Sequence, residues 1–172
     1  CNVRHSLGVL SIVGLHESAF SRLFKGRSSL TIKQWAFDFL DEYLDSFLYE
    51  PAIKKLKEAQ AAGHFTAILS SSPDFLVEPI AKRLEIPFWK STRYAVDKDN
   101  NFSHIAELMQ GSDKAKIIGE LGSLYHVPKK EITAYSDSHL DLPFLMAAGT
   151  SYGVNPNRKL RSLCQKNNWS II

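Results

Sequence analysis

Apolar positions along the chain change their period near residue 50. Ahead of it, Ile32, Trp35, Ala36, Phe39, Leu40, Tyr43, Leu44, Phe47 and Leu48 recur at i, i+3, i+4 and i+7, the spacing of an amphipathic helix. Thr31 and Gln34 stand at capping-box distance at its start. An earlier helix is predicted over roughly His16 to Lys25, stopped by Gly26, with the apolar run Leu7 to Leu15 as its packing partner. Trp35 and Tyr43 then read as core residues of a small helical bundle over residues 1–49.

From Pro51 onward helical and extended patterns alternate. Pro51 suits a first helical position, Ile53, Leu56 and Ala59 share one face, and Gly63 stops that helix before the strand Phe65 to Leu69. A helix carrying Phe75, Leu76, Ile80 and Leu84 and a short strand Ile86 to Trp89 follow. Arg93 to Val96 and Phe102 to Ile105, divided by the polar run Asp97 to Asn101, predict a β-hairpin insertion near 93–105. Then come a helix Lys114 to Tyr125, a strand Ile132 to Tyr135, a helix Leu142 to Ala148, an extended Tyr152 to Val154, a helix Arg158 to Lys166 and a closing Trp169 to Ile172. Strands separated by helices predict an α/β fold over residues 50–172, with a parallel sheet covered by helices on both faces. Ligands of such sheets bind beyond the carboxyl ends of the strands, so the residues that follow each strand are the ones to inspect.

Composition narrows the class. At 172 residues, 44% hydrophobic and 23% charged, the chain has the make-up of a folded globular protein. A formal net charge of +3, with Lys and Arg dispersed among Asp and Glu, argues against nucleic acid as a partner. Leu7 to Leu15 is too short to span a bilayer, and no Ala-x-Ala cleavage pattern follows it. A cytoplasmic location is therefore the expectation. Cys1 and Cys164 have no C-x-x-C or His partner at ligand spacing and are expected to be free thiols. No pattern fixes an oligomeric state.

Three polar clusters fall after strands or at a helix start. Ser70, Ser71 and Ser72 close one strand just before Pro73, where hydroxyls and free amides can receive a phosphate; plain helix capping is the simpler alternative. Asp137 and Asp141 share one tight turn after the strand Ile132 to Tyr135. Two such carboxylates suit Mg2+, which takes hard oxygen ligands and only one or two protein side chains; a capped surface turn explains them equally well. Lys114 opens a helix in Gly-Ser-Asp-Lys, where an ammonium could neutralise phosphate, although a lone lysine there is ordinarily a solvated side chain.

In order and in local wording these clusters resemble the phosphoserine-phosphatase-like branch, subfamily IB, of the haloacid dehalogenase-like (HAD) superfamily. Leu69-Ser-Ser-Ser-Pro-Asp-Phe-Leu-Val-Glu-Pro-Ile-Ala is similar to that branch's second motif, Gly111-Ser-Asp-Lys114 to its third, and Tyr135-Ser-Asp-Ser-His-Leu-Asp-Leu-Pro-Phe-Leu to its fourth, with Ser136 in place of the usual glycine. Val154-Asn-Pro-Asn-Arg with its basic helix and Trp169 is similar to the branch's ending. The resemblance covers residues 51–172 well, and residues 1–49 more loosely as a helical cap. It implies a Rossmann-like fold and a Mg2+-dependent phosphatase acting on a small phosphorylated substrate. Ser70, with Ser71 beside it, would bind the transferring phosphoryl group, Lys114 would stabilise its charge, Asp137 would reach the metal and Asp141 would help hold the site.

The family's first motif, Asp-x-Asp-x-Thr on a strand ahead of the cap, supplies the nucleophile. It has no counterpart here: the first acidic residue is Glu17, and Asp38 and Asp41 lie within the long amphipathic helix. Two readings follow. Either the nucleophile strand precedes Cys1, and residues 1–172 alone are inactive for want of it, or the protein is a non-catalytic HAD-like module that binds a phosphorylated ligand or a protein partner.

Overall fold

The computed structural model describes residues 12–172, so Cys1 and the apolar residues from Leu7 to position 11 lie outside the described residues. Helix α1 (Ile12–Leu23) leads through a turn at Gly26, where φ is +75°, a conformation that a residue without Cβ adopts freely. Helix α2 (Ser29–Phe47) starts earlier than the Thr31–Gln34 pair suggests. Ser28 is its N-cap, and the Ser28 hydroxyl accepts the Thr31 N–H at 3.3 Å.

The α/β alternation then appears as expected. Helix α3 (Glu50–Ala61) precedes strand β1 (Ala67–Pro73), α4 (Asp74–Arg83), β2 (Phe88–Val96), β3 (Phe102–Glu107) and α5 (Gly111–Leu124). Strand β4 (Thr133–Ser136), α6 (Leu142–Ala147), β5 (Thr150–Gly153), α7 (Arg158–Asn167) and β6 (Ser170–Ile171) complete it. The two short strands expected over Ile86 to Trp89 and Arg93 to Val96 are one continuous strand, β2. Its first half pairs parallel with β1 and its second half antiparallel with β3.

Among the described residues the strands form two three-stranded sheets, β1-β2-β3 and β4-β5-β6. All pairings in the second sheet are parallel. Strands β1 and β4 therefore each have a partner along one edge alone. Helix α3 is tied to α4, where its Gln60 amide donates to the Leu84 carbonyl at 2.8 Å, while its Lys55 ammonium bonds Glu58 of the same helix at 2.8 Å. Although Ile53, Leu56 and Ala59 line one side of α3, none of its residues is buried.

Two apolar clusters hold the halves. Ala134, Leu145, Ala148, Leu160 and Cys164 pack under the second sheet. Gly153 belongs to this packing: a Cβ there would sit 2.6 Å from the Cys164 Sγ. Burial pushes the Cys164 thiol pKa up, and the side chain is free as expected. Phe20, Phe75, Tyr94 and Phe102 form the other cluster, with Phe24 packed against it. Trp35 and Tyr43 do not belong to a bundle core. They are 60% and 43% exposed, because α2 packs on α4 through buried Leu40 and Leu44 while Phe39, Tyr43 and Phe47 stack along its outer face.

Replacing Phe102, which is fully enclosed by aromatic neighbours, with Ala is expected to cost about 3–5 kcal/mol of unfolding free energy. Trp35→Ala is expected to cost less than about 1 kcal/mol. Urea denaturation of the two variants checks the contrast, and equal losses would return Trp35 to the core.

Candidate active site

A side chain of β2 ties β1 to the loop that leads into α5. The Thr92 hydroxyl, on β2 and fully buried, donates to the Ser71 carbonyl at 2.8 Å and accepts the Met109 N–H at 3.2 Å. That fixes the loop into α5. The next residue, Gln110, caps α5 in a reciprocal arrangement with Asp113, whose carboxylate accepts the Gln110 N–H at 2.9 Å.

One turn into α5 stands Lys114. It is not the solvated residue its position suggests: it is 5% exposed, and its ammonium bonds both carboxylate oxygens of Asp141 at 2.7 and 2.9 Å. Asp141 closes the 3-10 turn His139–Asp141 behind β4. Its Oδ2 also accepts the Ser136 hydroxyl at 2.8 Å, and the Ser136 oxygen in turn accepts the Ser138 N–H at 3.1 Å. A buried ion pair survives desolvation only when such further bonds complete it. An ammonium has three protons, and Asp141 engages two of its donor directions, so one is left for another acceptor.

Close approach of α5 to the Asp141 turn requires Gly111. A Cβ on it would lie 2.5 Å from the Leu140 carbonyl oxygen and 3.2 Å from the Asp141 Cα. Gly111, Thr92 and Ser136 are thus parts of the site that the sequence reading did not assign. Ser136 had a sequence signal, a hydroxyl where the family pattern has glycine, and Gly111 had one in its place at the head of the Gly-Ser-Asp-Lys motif.

Asp137 follows the last residue of β4 and is exposed. Among the described residues no hydrogen bond or ion pair engages its carboxylate. Ser70 is half-buried, and its hydroxyl accepts the Ser72 N–H at 3.1 Å. The serines do not cap α4. Its N-cap is Pro73, with no side-chain cap, and the one early amide so bonded, that of Phe75, donates to Asp74 at 2.8 Å. The structure therefore joins Lys114 directly to Asp141, sets Asp137 four residues before Asp141 in the turn after β4, and links the serines at the end of β1 to the loop into α5 through Thr92. No direct bond joins Ser70 or Ser71 to Lys114, Asp137 or Asp141.

Among the described residues there is no group of three His, Cys, Asp or Glu side chains able to hold a metal. Asp137 is the carboxylate of this turn left free to face a cation, since Asp141 is occupied by Lys114 and Ser136. One free, exposed carboxylate fits the sparse protein ligation of Mg2+, but it does not by itself make a metal site. No helix among the described residues is long and apolar enough to cross a membrane.

Parallel strands with crossover helices, and a buried lysine–carboxylate pair behind a strand end, define a Rossmann-like α/β core. A model of the haloacid dehalogenase-like hydrolase family matches residues 10–146, and the chain belongs to that family. It is 31% identical over 153 residues to the inhibition of morphological differentiation protein of Streptomyces azureus, a match covering 88% of this chain and 55% of that protein. To the phosphoserine phosphatase SerB1 of Mycobacterium tuberculosis it is 28% identical over 149 residues, covering 86% of this chain and 48% of that one. The chain spans about half the length of these curated relatives. In fold it is similar to a Bordetella pertussis Tohama I protein of unknown function, with a TM-score of 0.79 at 20% identity over 96% of this chain and 75% of that one. A substrate-bound phosphoserine phosphatase shares the fold with a TM-score of 0.58 at 20% identity, over 64% of this chain and 53% of that one.

Lys114→Met strands the Asp141 carboxylate in a buried place and is expected to destabilise the protein by about 3–5 kcal/mol, whereas Lys114→Met combined with Asp141→Leu recovers most of that loss. Chemical denaturation of the single and double variants checks it. A single-variant loss under about 1 kcal/mol would mean that water solvates the pair.

Proposed function

We propose that the protein is a Mg2+-dependent phosphomonoesterase of the HAD family acting on a small phosphorylated substrate. The observation that carries this reading is the buried Lys114–Asp141 pair, completed by Ser136, with the free carboxylate of Asp137 one residue beyond β4. A lysine held this way offers a fixed positive charge in a low-dielectric setting, where it stabilises a transferring phosphoryl group far better than a solvated lysine can. Ser70 and Ser71, with the uncapped first turn of α4 behind them, would receive the remaining phosphoryl oxygens. Asp141 positions Lys114. Asp137 would hold the cation, which when bound supplies charge neutralisation at the phosphate. Relatives described as phosphatases, among them SerB1, support the same reaction class.

The attacking carboxylate is the remaining requirement. We assign it to a strand preceding Cys1 that pairs between β1 and β4. Those strands are open along one edge each among the described residues. In the reaction, that carboxylate oxygen forms a bond to phosphorus as the ester P–O bond breaks, and a second carboxyl group protonates the departing oxygen. Water then attacks the acyl phosphate, releasing inorganic phosphate and restoring the carboxylate. The helical start, residues 1–49, would flank this site on the core of residues 50–172.

Protein made from the reading frame extended upstream is expected to hydrolyse p-nitrophenyl phosphate with Mg2+ and to lose turnover on chelation, while residues 1–172 alone show none. Lys114→Ala in the extended protein is expected to lower kcat by about a hundredfold or more. Equal turnover by both proteins removes the upstream nucleophile. An inert extended protein that still binds phosphate points to a non-catalytic binding module instead.

A further inference from the structure

Helices α2 and α4 lie side by side and run the same way. Near the start of α2, Ile32 and Ala36 pack against the cluster that holds Phe75 of the first turn of α4. Near its end, Asp45 bonds Arg83, the last residue of α4, at 3.2 Å. Between the two helices is a cleft of about 600 Å3, within the size range of small-molecule sites. It begins at Asp74 and Phe75, directly after Ser70, Ser71 and Ser72, and continues to Arg83. That end lies about 13 Å farther along α4.

The walls of this cleft are largely apolar: Leu30, Phe37, Leu40, Leu44, Phe75 and Pro79 line it. Leu40, Leu44 and Phe75 are buried, whereas Leu30 and Phe37 stay 66% and 55% exposed. Most of the polar groups of the walls already have partners. The Asp74 carboxylate accepts the Phe75 N–H at 2.8 Å, Lys82 bonds Glu78 at 2.7 Å, Arg83 is held by Asp45, and Gln34 donates to Asp38 at 2.7 Å. Among the described residues no hydrogen bond or ion pair is directed at Lys33 or Asp41, which also line the cleft. Their positions on α2 put them about 12 Å apart along the helix axis. The ammonium and carboxylate of an amino acid share one carbon, so a single amino-acid ester cannot meet both.

We propose that this cleft receives the group esterified to phosphate, and that the substrate class is the phosphomonoester of an apolar alcohol, an alkyl chain or an aryl ring, in preference to the zwitterion phosphoserine. With the phosphoryl group at Ser70 and Ser71, the ester group extends along α4 and takes Leu30 and Phe37 out of water, which supplies the affinity. Leu30 and Phe37 are then specificity-determining residues. Lys33 stands near the start of α2, at the end of the cleft closer to the serines, where its charge favours an anionic ligand. The kinetic part of the test rests on the phosphatase reading above; the binding part does not.

The test uses the protein extended upstream. Calorimetry with n-octylphosphonate and methylphosphonate, which cannot be hydrolysed, reads the cleft without catalysis. Each methylene removed from water strengthens binding about fourfold, so octylphosphonate is expected to bind at least about thirtyfold more tightly than methylphosphonate. Phe37→Asp, at an exposed position that folding does not depend on, is expected to remove most of that gain and leave methylphosphonate unchanged. Trp35→Asp, equally exposed on α2 but outside the cleft, is expected to keep the gain. Equal affinity for the two phosphonates, or a gain that both variants lose or both retain, would overturn the proposal. In turnover, kcat/KM for octyl phosphate is expected to exceed that for phosphoserine by about tenfold or more, and a preference for phosphoserine would equally overturn it. If the extended protein hydrolyses neither these esters nor p-nitrophenyl phosphate, the phosphatase reading fails while calorimetry still decides the cleft.

Discussion

The ion pair between Lys114 and Asp141 is the constraint around which the candidate site is arranged. An ammonium and a carboxylate removed from water are costly unless they meet in good geometry and their remaining bonding capacity is used. Both conditions shape the neighbourhood. Asp141 receives two bonds from the lysine and one from Ser136, and Ser136 is kept in place because its oxygen also accepts from Ser138. The start of α5 must come within backbone distance of the Asp141 turn, which leaves no room for a Cβ at residue 111. The pair therefore dictates a glycine, a serine and a helix start, and it connects the second sheet to the element that leaves the first.

That connection matters because the two sheets share no strand pairing among the described residues. What relates them is α5, tied at its start to β2 through Met109 and Thr92 and packed along α6. Helix α3 is fastened to the first half through Gln60, whose amide donates to the Leu84 carbonyl at the end of α4. Tyr135 and Tyr152 stack at 4.9 Å with nearly parallel rings, and Tyr135 remains 39% exposed. Strands of parallel sheets are normally buried on both faces. Among the described residues β4 is paired on one side alone, with β5.

Much of this was legible in the sequence, and the failures have physical causes. Element order, the β2–β3 hairpin and the positions of Lys114, Asp137 and Asp141 at a helix start or after a strand follow from periodicity and turn residues, which are local; the strand expected over Phe65 to Leu69 instead runs Ala67–Pro73 and contains Ser70, Ser71 and Ser72. The exposure of Trp35 and Tyr43 was not legible, because helical spacing tells which residues share a face and not whether a partner covers it. Helix α2 has apolar residues on more than one side, and α4 takes the side of Leu40 and Leu44. The start of α2 was misplaced because Thr31–Gln34 matches capping spacing while Ser28 sits where the hairpin fixes the chain. The burial of Lys114 depends on a carboxylate distant in sequence, which no local pattern can reveal. The serines escaped a capping role because Pro73 takes the N-cap position.

Ser136 separates the roles of the two aspartates more clearly than their shared motif does. Where the family pattern places glycine, the backbone can approach but offers no side-chain donor. Here a hydroxyl occupies that position and spends its proton on Asp141. With three short bonds already directed at it, the Asp141 carboxylate has little capacity left for a cation, and its service is to hold Lys114 and the turn. Asp137 has the opposite endowment: it is exposed, follows the strand directly and meets no competing cation among the described residues. Two carboxylates on one turn are thereby divided by a single hydroxyl into a group that positions a positive charge and a group that remains available to bind one.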